Sequence, residues 1–248
     1  MSQSTNTLLI NESERVLTLT INRPAQKNAL DGATYDALTA ALAQATARDD
    51  LHAIVLTGAG GYFTAGNDLK DFLNATGGAS PALTFLKTIS KVNIPIIAAI
   101  EGGAIGIGVT MLLHCDFVVA GTGTQFRIPF VPLGLCPEGA SSLLLARYVG
   151  IRKANEWLYR GTPFTAEEAQ QAGLINRVVV AGQAESTAQE LARDMAGQSR
   201  LALTSTKALL QRAAAQDVAA TLDAERERFV QCLASPEAKA AFSRFLAK

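Results

Sequence analysis

The sequence predicts an α/β fold, and three observations carry that prediction. Two short apolar runs, Ala53 to Thr57 and Ile96 to Ile100, each end in clustered glycines and then lead toward helix-like sequence. That layout suits buried parallel strands joined by helices, not alternating surface strands. From Ala140 onward nearly every segment reads as helix, interrupted by one short strand at Ile175 to Val180. Finally, 248 residues at 48% hydrophobic composition are ample for a sizeable core, so one large domain, or one domain with an appendage, is expected.

In chain order, Leu8 to Asn11 and Val16 to Ile21 are predicted as a hairpin around the polar turn Glu12-Ser13-Glu14. Asn22-Arg23-Pro24 ends the second strand, and Asp31 is a good N-cap for an alanine-rich helix reaching about Ala47, which leaves Lys27 on a loop. The strand at Ala53 to Thr57 is closed by Gly58, Gly60 and Gly61, after which Phe63 to Asp68 runs into another helix start. Ile96 to Ile100 reads as a strand buried on both faces, followed by a turn at Glu101, Gly102 and Gly103. Gly106 and Gly108 then open an apolar stretch through Leu113, long enough for a buried helix whose first amides, near Ile107, lack a partner within it. A strand at Phe117 to Ala120 leads through a glycine- and proline-rich passage to Pro137-Glu138-Gly139, with Ser141 and Ser142 just beyond. Thr165-Ala166-Glu167-Glu168 has capping-box spacing, and Ser235-Pro236 sets an N-cap before a first-turn proline. The expected division is a body over 1–197 and, over 198–248, amphipathic helices that pack on it or on a partner subunit.

Composition excludes several functions. Lysine plus arginine and aspartate plus glutamate both total 22, which argues against nucleic acid or an anionic membrane as partner and leaves small anionic ligands open. The N-terminus lacks a signal pattern and no apolar run approaches spanning length, so a soluble, cytoplasmic protein is expected. Cys115, Cys136 and Cys232 have no CxxC spacing and read as free thiols in a reducing compartment. There is no GxSxG motif and only two histidines, His52, expected at the surface, and His114, expected as a hydrogen-bonded structural residue. Nothing resembles a metal cluster, and the glycines at 58 to 61 and 102 to 108 fit neither GxGxxG nor GxxxxGK. Those glycines either only permit tight turns or expose amides to an oxyanion. Glu138, the only acid between Asp116 and Glu156, is either a general base or a first-turn helix acid favoured by the dipole. Asp116 and Glu101 read as structural.

The segments INRPAQKNALD at 21 to 31, FTAGNDL at 63 to 69, AAIEGGAIGIGVTMLLHCDFVVA at 98 to 120 and FRIPFVPLGLCPEGASS at 126 to 142 together resemble the crotonase (enoyl-CoA hydratase/isomerase) superfamily. The resemblance implies a crotonase-like spiral of ββα units with a C-terminal helical trimerisation region, acyl-CoA substrates, and a homotrimer or dimer of trimers. It implies no metal and no separate cofactor, coenzyme A being part of the substrate. Motif matching puts the two oxyanion amides at Ala65 and Ile107, and the coenzyme A contacts at Lys27, Ala29, Gly66, Asn67, Asp68 and Leu69. Hydratases of the family carry two glutamates at the positions of Thr110 and Phe130, and both are missing here. The remaining pattern is similar to the peroxisomal-type 3-enoyl to 2-enoyl-CoA isomerases, whose single catalytic glutamate matches Glu138. A hydratase or another crotonase-type enzyme, and a non-catalytic acyl-CoA-binding protein, are the alternatives.

Overall fold

Apolar strands buried on both faces organise the chain. The computed structural model describes residues 5–68 and 80–246, so the helix start expected after Asp68 lies outside the described residues. β1 (Leu8–Ser13) and β2 (Val16–Ile21) pair antiparallel, with Ser13 opposite Val16. Their turn is therefore Glu14-Arg15, one step later than the sequence suggests, and both residues take left-handed φ values of 51° and 67°. Such a two-residue turn matches the twist of the strands it joins. The sheet continues in parallel through β3 (Ala53–Gly58), β4 (Ile96–Ile100), β6 (Phe117–Gly121) and β9 (Arg177–Val179) in the order β1-β2-β3-β4-β6-β9. A small second sheet joins β5 (Gly103–Ile105), β7 (Gln125–Arg127) and β8 (Phe164–Thr165). Gly103, expected in a turn, already begins β5, because Gln125 lies beside it in a parallel ladder.

The described helices are α1 (Gly32–Thr46), α2 (Pro81–Ile89), α3 (Ile107–Thr110), α4 (Ser141–Val149), α5 (Ile151–Arg160), α6 (Ala166–Ala172), α7 (Ala184–Ala196), α8 (Arg200–Arg212), α9 (Ala215–Leu233) and α10 (Pro236–Leu246). Asp31 caps α1 by accepting from the Thr34 amide at 2.9 Å, and the capping box at Thr165 and Glu168 is formed. The apolar stretch after Gly106 holds less α-helix than expected: α3 is one turn, and Met111–His114 continues as a 3-10 helix.

Ile54, Leu56, Ile96, Ala98 and Ile100 face the main core, while Val55, Ile97 and Ala99 face a second one. Ala184, Ala188, Ala192 and Ala196 of α7 close that second face. Four-residue spacing puts all four on one stripe, and their small side chains let helix and sheet approach closely. Glu101 accepts from the Gly182 and Ala184 amides at 2.9 and 3.0 Å, so it caps this remote helix. Asp116 accepts from Ile96 N at 2.8 Å and pairs at 2.7 Å with buried Lys207 of α8, which ties β4 to the helical region. His52 is buried rather than superficial, because its amide bonds Arg15 O at 2.9 Å and draws the ring under β2.

The helices after residue 198 share the main core: Leu222 and Phe229 of α9 and Ala238 and Phe242 of α10 all belong to it. Helix α8 differs, burying only Lys207 while Leu201, Leu209 and Leu210 stay exposed. Among the described residues no helix is long and apolar enough to cross a membrane.

Candidate active site

Two strand ends and one distant turn converge on a single place. The first strand end is the segment after β3, where Thr64 is tied on three sides. Its amide donates to Gly103 O at 3.1 Å, its carbonyl accepts from Ile105 N at 3.1 Å, and its hydroxyl donates to Asn28 O at 2.6 Å. The Gly66 amide turns back to Thr64 Oγ1 at 3.0 Å. Gly66 O accepts from Leu30 N at 2.8 Å and Asp68 N donates to Leu30 O at 2.9 Å. This parallel bridge between Leu30 and Asn67 leaves the Asn67 amide pointing the other way, without an acceptor among the described residues. Gly66 has a φ of +88°, and a Cβ there would stand 2.6 Å from Ile105 O, so the two strand-ending turns touch at a position that admits only glycine.

Ala65, matched by motif to an oxyanion amide, does not fill that role. Its N–H donates to Lys27 O at 2.9 Å, because the 23–30 loop folds against it. The amide of this turn that has no acceptor among the described residues is two residues further on, at Asn67.

The second strand end supplies the partner. Gly106, with φ +56°, donates its amide to Arg127 O at 2.8 Å and accepts from the Val109 and Thr110 amides at 2.9 and 3.1 Å. The first amide of α3, that of Ile107, has no acceptor among the described residues, as expected of a helix start.

Glu138 arrives from the third turn. Its Oε1 accepts from Asn67 Nδ2 at 3.2 Å, and Asn67 Oδ1 in turn accepts from the buried Tyr35 hydroxyl of α1 at 2.5 Å. The tyrosine fixes which way the asparagine amide faces, so the nitrogen is presented to the carboxylate. Part of Glu138 remains accessible, as a group that meets a substrate must be. Even so, protein surrounds the carboxyl, and burial pushes its pKa up to about 7. The Asn67 bond opposes that rise, Glu225 adds to it, and Arg226 opposes it.

The turn itself is braced by two residues. His114 Nε2 lies 2.9 Å from Gly139 O, and burial lowers its pKa to about 4, so a neutral ring donates to that carbonyl. This is the structural role expected of His114. Glu225, on α9, was not legible as a site residue, yet it accepts from Ala140 N at 2.6 Å, Ser142 N at 2.9 Å and Ser142 Oγ at 2.6 Å. A signal for it exists: Leu222, Glu225 and Phe229 share the buried face of α9, so an acid occupies an apolar position.

Thr110 and Phe130 line the same place without supplying a carboxylate. Thr110 is buried beneath Gly139, where a Cβ would lie 2.8 Å from its hydroxyl, and Phe130 is buried with its ring edge-on to Phe229 at 6.3 Å. Arg23, also missed, pairs with Asp31 at 3.1 Å and Asp68 at 3.0 Å and donates to Ala29 O, so Asp68 and Ala29 brace the first turn. The Lys27 side chain is exposed at the end of this loop, its Nζ 5.7 Å from the Tyr62 ring centroid. Leu69 lies outside the described residues.

A family model described as enoyl-CoA hydratase/isomerase matches residues 11–248. The 2,3-dehydroadipyl-CoA hydratase of Escherichia coli (strain K12) is 35% identical over 97% of this chain and 96% of that enzyme. The enoyl-CoA delta isomerase 2 of Rattus norvegicus is 36% identical over 71% of this chain and 47% of that protein. Among solved structures, an enoyl-CoA hydratase/isomerase from Pseudoalteromonas atlantica T6c superposes with a TM-score of 0.94 at 40% identity, covering 97% of each chain.

Proposed function

The chain belongs to the enoyl-CoA hydratase/isomerase (crotonase) family, and within it we propose an enoyl-CoA isomerase that moves a double bond from C3 to C2 of an acyl-CoA thioester. The observation that supports this reading is an accessible carboxylate, Glu138, beside two amides that have no acceptor among the described residues, with Thr110 and Phe130 where a second acid would be needed. In this reading the thioester oxygen sits between the amides of Asn67 and Ile107. Glu138 removes the C2 proton, and the electron pair left behind delocalises onto that oxygen as a dienolate. The same carboxyl returns the proton at C4, the carbonyl reforms, and the double bond lies between C2 and C3. No atom is gained or lost and no electron leaves the substrate, so the step as written consumes no redox equivalent.

A carboxyl with a pKa near 7 suits both halves of this shuttle, because it can hold and release the proton at neutral pH. The amides act where charge develops, and their fixed orientation requires no reorganisation during reaction. Hydration would need a bound water activated by one group and the α-carbon protonated by another. The full-length similarity to a hydratase keeps that second reading in view. Initial rates on a 3-enoyl-CoA series beside the matching 2-enoyl-CoA series decide: the isomerase turns over the first far faster, and comparable rates on both favour hydration. Gly66, Asn67 and the exposed Lys27 would border the coenzyme A moiety, Lys27 meeting phosphate. The exposed leucines of α8 support assembly into a trimer or a dimer of trimers, and light scattering showing a monomer at micromolar concentration would rule that out.

A further inference from the structure

Glu225 has no place in the proton transfer just described, yet both of its oxygens are hydrogen-bonded beside it. It sits seven positions from Cys232 on α9, 7% exposed, and both of its oxygens face away from solvent into the start of α4. There it receives three hydrogen bonds, two from backbone amides and one from the Ser142 hydroxyl, at 2.6 to 2.9 Å. The amides belong to Ala140 and Ser142, the residues immediately after the Glu138-Gly139 pair. Ala140 is a non-glycine residue held at a φ of +55°, a conformation that L-residues avoid unless their surroundings impose it. The side chain that grips Ala140 N is Glu225.

We propose that Glu225 is a positioning residue for the isomerase step: its carboxylate clamps the 138–142 turn in its strained form and thereby aims Glu138 at the substrate. The inference rests on the reading of Glu138 as the proton carrier. Three features separate it from an ordinary helix cap. First, a carboxylate accepting three charge-assisted bonds is far stiffer than a solvent-exposed cap. Second, the clamp comes from the C-terminal helical region, 85 residues away in sequence, so the turn's geometry depends on the docking of α9. Third, the two carboxylates feel one another. The titratable and charged groups that act on Glu138 are Tyr35 from α1 and Glu225 and Arg226 from α9, and among them Glu225 pushes the base toward its protonated form.

Glu225→Gln retains the shape but leaves one of the two amides facing an NH2 group and removes the charge; Glu225→Ala removes the clamp; Ser142→Ala removes one bond of three. For 3-enoyl-CoA turnover, kcat should fall roughly tenfold to hundredfold in Glu225→Ala, the scale of an ångström-size misplacement, while KM stays within about threefold because the amides and coenzyme A contacts are untouched. Glu225→Gln should lose less kcat and, with the neighbouring charge gone, its kcat/KM should keep the acid limb but at lower pH than wild type. Loss of folding alone would reduce the active fraction without moving that limb. Should both Glu225 variants fail to fold by circular dichroism, Ser142→Ala carries the test, with kcat lowered and KM unchanged. Wild-type kcat and an unmoved limb in folded Glu225→Gln, or wild-type kcat in Ser142→Ala when the others do not fold, overturn the clamp. Glu138→Gln assayed alongside keeps the two ideas apart. If it retains turnover the reading of Glu138 has failed, and if it is inactive while Glu225→Gln behaves as wild type only the clamp has failed.

Discussion

The segments after β3 and after β5 each bring to one place an amide with no acceptor among the described residues, yet the two turns are braced to different degrees. After β5, the Ile107 amide comes from the start of a one-turn helix, and the backbone provides everything. After β3, the Asn67 amide is set by a bridge to Leu30, by the Arg23 ion pairs to Asp31 and Asp68, and by the Thr64 hydroxyl. The same residue also presents its side chain to Glu138. The difference teaches that an amide alone needs only a helix start, whereas a residue that stabilises the oxyanion and orients the base needs a scaffold of its own.

The largest expected effect comes from removing what neither turn supplies. Glu138→Gln leaves both amides in place, and 3-enoyl-CoA turnover should fall by about a hundredfold to ten-thousandfold with acyl-CoA affinity little changed. A folded Glu138→Gln retaining more than roughly a tenth of wild-type turnover would show that the proton moves elsewhere. The turns themselves should respond unequally to an added methyl. Gly66→Ala meets the Ile105 carbonyl at 2.6 Å from a φ of +88°, and should cost about 1–3 kcal/mol of stability by urea unfolding. Gly108→Ala also meets an atom at 2.6 Å, the methyl of the buried Thr64, but its φ lies outside the left-handed region and the atom met is side chain rather than backbone. It should therefore cost less, and equal losses would contradict the view that backbone contact is what demands glycine in the first turn.

Next in size, Asn67→Ala keeps the amide and deletes the side chain. Since the Asn67 bond lowers the Glu138 pKa, the acid limb of kcat/KM should move to higher pH, opposite to the shift expected for Glu225→Gln. A fall in kcat of roughly tenfold should accompany it. An unmoved limb would mean that the asparagine contributes only its backbone.

Much of this was legible in the sequence, and the remainder was hidden for physical reasons. Period and punctuation set the strands: Ile96 to Ile100 is a continuous apolar run, and it is β4 to the residue. Asp31 and Thr165 announced their helices because a cap is a local interaction. Gly103 misled because a lone glycine pair reads as a turn, while the partner that makes it a strand, Gln125, is 22 positions away. The choice of Ala65 over Asn67 failed for the same reason, since which amide of a turn is occupied depends on Lys27 and Leu30 across the fold. Glu225 was the hardest to find. Its helix reads as amphipathic and charged, and only tertiary packing tells this acid from its exposed neighbour Glu227.

The smallest expected effect lies in the pH dependence of stability, where two residues on either side of Gly139 oppose each other. Glu138 has a folded pKa of about 7 against an ordinary 4.5, so the fold favours its protonated form. Its contribution is fully present below pH 4.5 and is lost as pH rises through 7. His114 has a folded pKa of about 4 against 6.5, so the fold favours its neutral form. Its contribution is present above pH 6.5 and is lost as pH falls through 4. Each spans a similar interval, about 3 kcal/mol by linkage, and between pH 4.5 and 6.5 the two slopes have opposite signs. Wild-type stability should therefore change less over that range than either partner alone would dictate. Glu138→Gln removes the term that favours acid, so its stability should fall more steeply than wild type on acidification. His114→Gln keeps a donor for Gly139 O but cannot titrate, so its stability should fall less steeply than wild type, or rise. Urea denaturation at pH 4.5, 5.5 and 6.5 places the wild-type slope between those of the two variants. Glu225, whose pKa is also raised by burial, is present in all three proteins, and His114→Gln, which leaves both carboxylates in place, gives the comparison free of any change in their mutual repulsion. Parallel slopes in wild type and both variants would mean that neither group is held away from its ordinary pKa, and the case for a base poised near neutrality would lose its electrostatic support.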